Sequence, residues 1–303
     1  MSTARRVVLR NFFRTLYRDR NGDRSRSILV AGTGRSGTTW LGEIIASQLR
    51  SRILFEPFHC RYVPEYAQFR YFQYLRPRQD CPAMAEFCEA VFSGRIRNTW
   101  IDQQARRLRP EWRVIKDVRA NLLLGWIAQR FPEVPQLFIV RHPCAVVHSR
   151  LQLNWDTDAD LEPMLAQPDL VEDYLADKLD LIRATRTDAG KHALVWSISN
   201  LVPLRQAPGF GLPIVFYEHL RDHPRREIPR IFAAIGRPFQ ESVFDALGTP
   251  SSTSRDTPRS GSGAGRDTAS HRGLSAAQST EIQAIVDSFG LGYLYGDSTE
   301  PLA

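Results

Sequence analysis

The chain has 303 residues, 43% hydrophobic and 24% charged, a composition suited to one elaborated soluble domain with a real core. No apolar run approaches the roughly 18 residues of a membrane span, and Met1 to Arg26 is basic without an apolar h-region or small-residue cleavage site, so neither a span nor a signal peptide is expected. The net charge is +7 and almost wholly arginine, since Lys116, Lys178 and Lys191 are the only lysines; an anionic partner fits, although an Arg-rich codon bias gives the same composition.

Residues 5–17 carry apolar side chains at 8, 9, 12, 13, 16 and 17 with arginines between them, the spacing of a basic amphipathic helix. It packs on the domain or makes a peripheral contact with the inner face of a membrane. Residues 27–31 predict a strand, 32–37 a Gly-rich turn, 38–49 a helix and 52–55 a second strand. Residues 58–112 form an aromatic-rich insertion, whose Phe69, Tyr71, Phe72 and Tyr74 suit either stacking on an acceptor or a plain core. A strand at 113–115, a helix at 122–131 stopped by Pro132, a strand at 136–140 and a helix at 143–152 follow. The stretch 169–205 is helical in two segments, 213–217 is a strand, and a helix runs through 228–235. The Ser/Thr/Gly/Arg-rich stretch 249–274 predicts a flexible loop before a last helix at 275–289.

Short apolar strands alternating with helices predict an α/β fold: a P-loop-type parallel sheet with helices on both faces, in a single domain spanning 27–303 behind the N-terminal segment 1–26. Cys60, Cys81, Cys88 and Cys144 show no CxxC pair or ligand spacing, so they read as small hydrophobes in a reducing, cytoplasmic setting, with neither disulfide nor metal expected.

The strongest signal is the run Gly32 to Thr39, GTGRSGTT, between a strand and a helix. Its glycines have the spacing of a P-loop, where backbone N–H groups at a helix N-terminus cradle a phosphate. Thr38 stands where an NTPase has lysine, and a cation comes earlier, at Arg35. The strand at 136–140 ends in Arg141 and not in an acid that helps hold Mg²⁺. The loop therefore suits a nucleotide with less charge at its 5′ end and no metal. A second anion station follows: Arg141 at a strand's carboxyl end and Ser149 two turns into the next helix, facing the crevice where open parallel sheets bind ligands. Two stations fit a 3′,5′-bisphosphate.

Together GRSGTTWL and RHPxxVxxS resemble the 5′-phosphosulfate loop and 3′-phosphate motif of the PAPS-dependent sulfotransferase superfamily. FEPFH and VFYEHLRDHP are similar to its carbohydrate sulfotransferase branch, although the chain shows no signal anchor of the kind that Golgi members carry. The resemblance implies that Gly34, Arg35, Ser36, Gly37, Thr38 and Thr39 hold the 5′-phosphosulfate of PAPS, that Arg141 and Ser149 hold the 3′-phosphate, and that Tyr217 lies near the adenine. Trp40 is a further adenine candidate, and the late basic loop places Arg266 or Arg272 over the nucleotide.

Sulfuryl transfer needs a general base for the acceptor proton and cations for the leaving phosphate. Glu56, at the end of the second strand, is the expected base, with Phe55, Pro57 and Phe58 drying it enough to raise its pKa. His59 is the second choice. Arg35 neutralises the bridging oxygen, and Lys116, at a strand end beside Asp117, assists. The acceptor is expected to be a carbohydrate, a lipid-linked glycan or a small molecule bearing a hydroxyl or amine. No recognition motif points to nucleic acid. Two other classes remain: a degenerate P-loop kinase or NTPase, which needs Mg²⁺ and ATP, and a non-catalytic nucleotide-binding protein.

Overall fold

A computed structural model of the protein describes residues 22–105, 107–247, 273–296 and 298–302. The calls on 5–17, Arg266 and Arg272 lie outside those residues, as does nearly all of 249–274. Five strands, β1 (Ser27–Gly32), β2 (Ser51–Phe55), β3 (Trp112–Asp117), β4 (Gln136–Val140) and β5 (Ile214–Phe216), form one parallel sheet in the order β2-β3-β1-β4-β5. The register sets Val30 beside Lys116 and Ala31 beside Asp117, so the carboxyl ends of β1 and β3 finish level.

The helices are α1 (Thr38–Gln48), α2 (Pro82–Phe92), α3 (Leu124–Arg130), α4 (Pro143–Gln152), α5 (Asp158–Leu165), α6 (Leu179–Ala184), α7 (Asp188–Gln206), α8 (Tyr217–Asp222), α9 (Pro224–Ala234), α10 (Val243–Leu247) and α11 (Ala276–Ser288). None of the described helices is long and apolar enough to cross a membrane.

Every residue of β1 and β4 is buried, because a parallel sheet with crossover helices is covered on both faces. Alternate side chains divide between two cores. Leu29, Ala31, Leu54, Ile115, Phe138, Val140 and Phe216 join the larger core with α2, α3, α4, α7 and α11. Ile28, Val30, Val114, Leu137, Ile139 and Val215 join the smaller one under α1, α9 and α10. Among the described residues the expected strands and helices are present, with small shifts: β3 runs two residues further than its apolar core, and Tyr217 opens α8 and does not close β5.

The 58–112 insertion is fastened to β2 by a buried ion pair. Arg52 donates from Nε to Asp102 at 2.8 Å and from its two terminal nitrogens to the Gly94 and Ile96 carbonyls at 2.9 and 2.6 Å. Both side chains are almost fully buried, so the pair stands only because each charge is bonded.

Candidate active site

The chain leaves β1 toward one side of the sheet and β4 toward the other, so the strand order switches between them, and their carboxyl ends open a crevice. The Gly-rich loop lies there, ahead of α1. Gly37 is the N-cap of α1 at φ 96°, in the left-handed region, and a Cβ on it would meet Tyr217 Cδ2 at 2.6 Å. Only glycine satisfies both limits. The first turn of α1 contains no acid, and its leading amides have no partner within the helix. Ser36 is buried and its hydroxyl makes no hydrogen bond; Thr38 and Thr39 are buried beside it. A buried hydroxyl left unsatisfied at a helix N-terminus is a ready anion contact.

Arg35 is itself at φ 80°, a strained setting for a side-chain-bearing residue. Its Nε donates to Ser149 Oγ at 2.9 Å, and its carbonyl accepts from Arg141 Nη1 at 3.2 Å. The Arg141 guanidinium lies over the Tyr217 ring, 4.4 Å from its centre, and Tyr217 packs on Trp40 at 5.3 Å. Burial first, and the Arg141 charge second, push the Arg35 guanidinium below its ordinary value. Two half-buried cations held together are an electrostatic strain that an anion relieves. The Arg35 side chain reaches the Ser149 hydroxyl on α4.

Glu56 follows β2 directly at φ 45°, again left-handed. Its carboxylate accepts from Lys116 Nζ and from Arg119 Nη1, the latter at 2.6 Å. Burial alone raises this carboxyl, but Lys116 and Arg119 outweigh it and hold the pKa at about 2. The expected rise is thus reversed, because drying by Phe55 and Phe58 brings in two cations as well. Lys116 also sits over the Phe55 ring, 4.6 Å from its centre.

His59 is buried in an aromatic box. Its ring centre is 4.4 Å from Tyr62, 5.0 Å from Tyr71 and 5.0 Å from Trp100, and Tyr71 Oη lies 3.2 Å from Nδ1. Burial, then the Arg119 charge, lowers its pKa to about 4, so the imidazole is neutral at pH 7. Trp100 Nε1 donates to the Glu56 backbone carbonyl at 3.1 Å, tying this box to the turn that carries Glu56.

A model of the sulfotransferase family matches residues 27–241, which include the Gly-rich loop, Arg141, Ser149 and the Glu56 cluster. The chain belongs to the sulfotransferase family. It is therefore a transferase. No curated protein matches its sequence. Among solved structures it is similar to the sulfotransferase domain from the curacin biosynthetic pathway, with 15% identity, 87% of this chain and 96% of that one covered, and a TM-score of 0.45. It is also similar to the sulfotransferase STF9 from Mycobacterium avium (14%, 87% and 76% covered, 0.41) and to mouse sulfotransferase SULT7A1 complexed with PAP (12%, 93% and 87% covered, 0.40). Likeness of that size transfers neither acceptor nor assembly.

Several side chains that support this sulfotransferase site were not legible as motifs. Asn121 Oδ1 accepts from the Gly32 amide at 3.1 Å, and Asn200 Nδ2 donates to Thr33 Oγ1 at 3.1 Å, so α7 and the turn before α3 brace the loop from below. Buried Glu218 accepts from the His142 amide at 3.0 Å and from Tyr295 Oη at 2.9 Å, and Trp196 Nε1 donates to the Arg141 carbonyl at 3.0 Å. These contacts fix the turn that carries Arg141. Asp117 accepts from the amides of Phe58 (2.9 Å), Arg119 (2.7 Å) and Ala120 (3.0 Å), joining the loops that carry Glu56 and Arg119. Burial, then the Glu56 charge, raises Asp117 to about 6.

The aromatic expectation divides. Phe72 and Tyr74 are buried, and Tyr74 donates to Asp173, so both are core. Phe69 packs on Tyr66 and Phe87. Only Tyr71 reaches the site, where the Arg119 guanidinium lies 4.9 Å from its ring centre.

Proposed function

We propose that this sulfotransferase moves a sulfuryl group from PAPS to an acceptor hydroxyl or amine, a carbohydrate or glycolipid being the favoured class. The observation that carries the donor assignment is the convergence of Arg35, Arg141 and Ser149 beside a Gly-rich helix N-terminus that has Thr38 where a triphosphate-binding loop has lysine. A cradle of amides with the Ser36, Thr38 and Thr39 hydroxyls suits the 5′-phosphosulfate. A guanidinium fork suits a 3′-phosphate. Tyr217 and Trp40 offer ring faces for the adenine. The carbohydrate reading is supported by the FEPFH resemblance and by the aromatic box of His59, Tyr62, Tyr71 and Trp100.

In this reading the acceptor oxygen forms the new bond to sulfur, the bond from sulfur to the bridging phosphate oxygen breaks, and PAP leaves with that electron pair. Glu56, ionised at neutral pH, takes the acceptor proton. Held by two cations it is a poor base. Its basicity rises when Lys116 Nζ turns from the carboxylate toward the charge developing on the leaving phosphate, so the exchange couples proton uptake to departure of PAP. Arg119 keeps the carboxylate oriented, and His59 remains neutral in its aromatic box.

The test compares ligands by calorimetry. The wild-type chain binds PAP in EDTA; Arg141→Ala weakens PAP by about tenfold or more, the scale of a lost charge-assisted contact, and adenosine 5′-phosphate far less. Equal losses for both ligands refute the 3′-phosphate role of Arg141, and uptake of MgATP in place of PAP refutes the donor assignment.

A further inference from the structure

Trp155 is a large aromatic side chain that remains 36% exposed, yet it is held from three sides. Its indole lies against the tip of the Gly-rich loop: a Cβ on Gly34 would stand 2.7 Å from Cζ3 and 2.9 Å from Cη2. On its other side the ring faces the Arg150 guanidinium, whose central carbon is 4.9 Å from the ring centre. Asn154, at φ 49°, makes the turn, and the Trp155 amide donates to the Arg150 carbonyl at 3.2 Å.

Arg150 is buried and has been given no part in nucleotide binding. Its Nε donates to His192 Nδ1 at 3.0 Å and its Nη2 to Asp160. Burial, then the Arg150 charge, holds His192 at about 3, so the ring is neutral and accepts at Nδ1. A buried guanidinium locked by an acid and an imidazole is a stiff mount for an indole. Trp155 is therefore a fixed, part-exposed apolar face at the tip of the Gly-rich loop.

We propose that Trp155 is the water-excluding wall of the sulfuryl-transfer cleft, a positioning residue that keeps solvent off the donor until an acceptor oxygen takes its place. The inference rests on the PAPS reading above. The reaction it suppresses is hydrolysis: a water oxygen forms the new bond to sulfur, the bridging S–O bond breaks, PAP leaves with the electron pair, and the water protons pass to solvent as sulfate is released. An apolar ring at the loop tip lowers the chance that a water is aligned for that attack.

The experiment follows ³⁵S-sulfate release from PAP³⁵S with no acceptor present, alongside PAP affinity by calorimetry and the melting temperature. Trp155→Ala is expected to raise acceptor-free release by about fivefold or more while PAP affinity stays within about threefold, and Trp155→Phe to restore most of the wild-type rate. A merely structural role lowers release, affinity and melting temperature together. Release that is unchanged or reduced in Trp155→Ala with PAP affinity intact overturns the proposal. A wild-type chain that ignores PAP overturns the donor reading, and this inference with it.

Discussion

The Glu56 cluster makes a stability prediction with a definite sign. The carboxyl titrates at about 2 in the folded chain against an ordinary 4.5, because Lys116 and Arg119 outweigh its burial. On acidification the unfolded chain takes the proton first, so the stabilisation is complete above about 4.5 and disappears as pH falls through 2. A shift of that size is worth about 3 kcal/mol at pH 7 and about 1 kcal/mol at pH 3. Glu56→Gln removes this linkage and leaves two buried cations without their acid, a loss of about 3–5 kcal/mol at pH 7. Urea unfolding at pH 7, 5 and 3 measures the gap between the two proteins. It should hold nearly constant from pH 7 to 5 and narrow by about 2 kcal/mol by pH 3. A gap that stays flat down to pH 3 refutes the paired-carboxylate account. In the proposed mechanism the same variant, assayed at pH 7 with PAP affinity retained, loses about 10²-fold or more of kcat.

Two further substitutions test the frame around the site. Gly37→Ala places a methyl 2.6 Å from Tyr217 Cδ2 at φ 96°, so PAP affinity measured by calorimetry should fall at least about tenfold, whereas an unchanged affinity would mean the loop relaxes without cost. Asp102→Ala removes the carboxylate from the buried Arg52 guanidinium and should lower the unfolding free energy by about 3–5 kcal/mol in urea titration; a loss under about 1 kcal/mol would show that the insertion does not depend on this pair.

The sheet was legible because its strands are short apolar runs between helical periods, and the Gly-rich turn ahead of α1 because glycine spacing is dictated by backbone geometry within eight consecutive residues. The nearness of Arg141 and Ser149 to that turn was legible likewise, since one leads into α4 and the other lies on it. What could not be read is what tertiary distance creates. Asn121, Asn200 and Glu218 look like ordinary polar residues in sequence, and become braces only when α7, the turn before α3 and α8 meet the loops from different sides. Arg119 lies two residues beyond a noted Lys-Asp pair, but nothing local says that its side chain returns across 63 positions to Glu56.

The error over Glu56 follows from the same limit. Local sequence shows Phe55, Pro57 and Phe58, and from them alone a raised pKa is the correct deduction, since desolvation is the largest influence on the group. The register of β2 on β3 then pairs Phe55 with Lys116 and brings a cation to the carboxylate, reversing the net sign. A buried acid so deeply ionised is stable, and for that reason poorly reactive. In the proposed mechanism its neighbours rearrange before it accepts a proton, and Lys116 is the one that leaves: its ammonium already rests 4.6 Å from the centre of the Phe55 ring, while Arg119 holds the carboxylate. In that arrangement the base is unmasked only when negative charge appears elsewhere to attract the lysine, which makes the donor's breaking bond the trigger for deprotonating the acceptor.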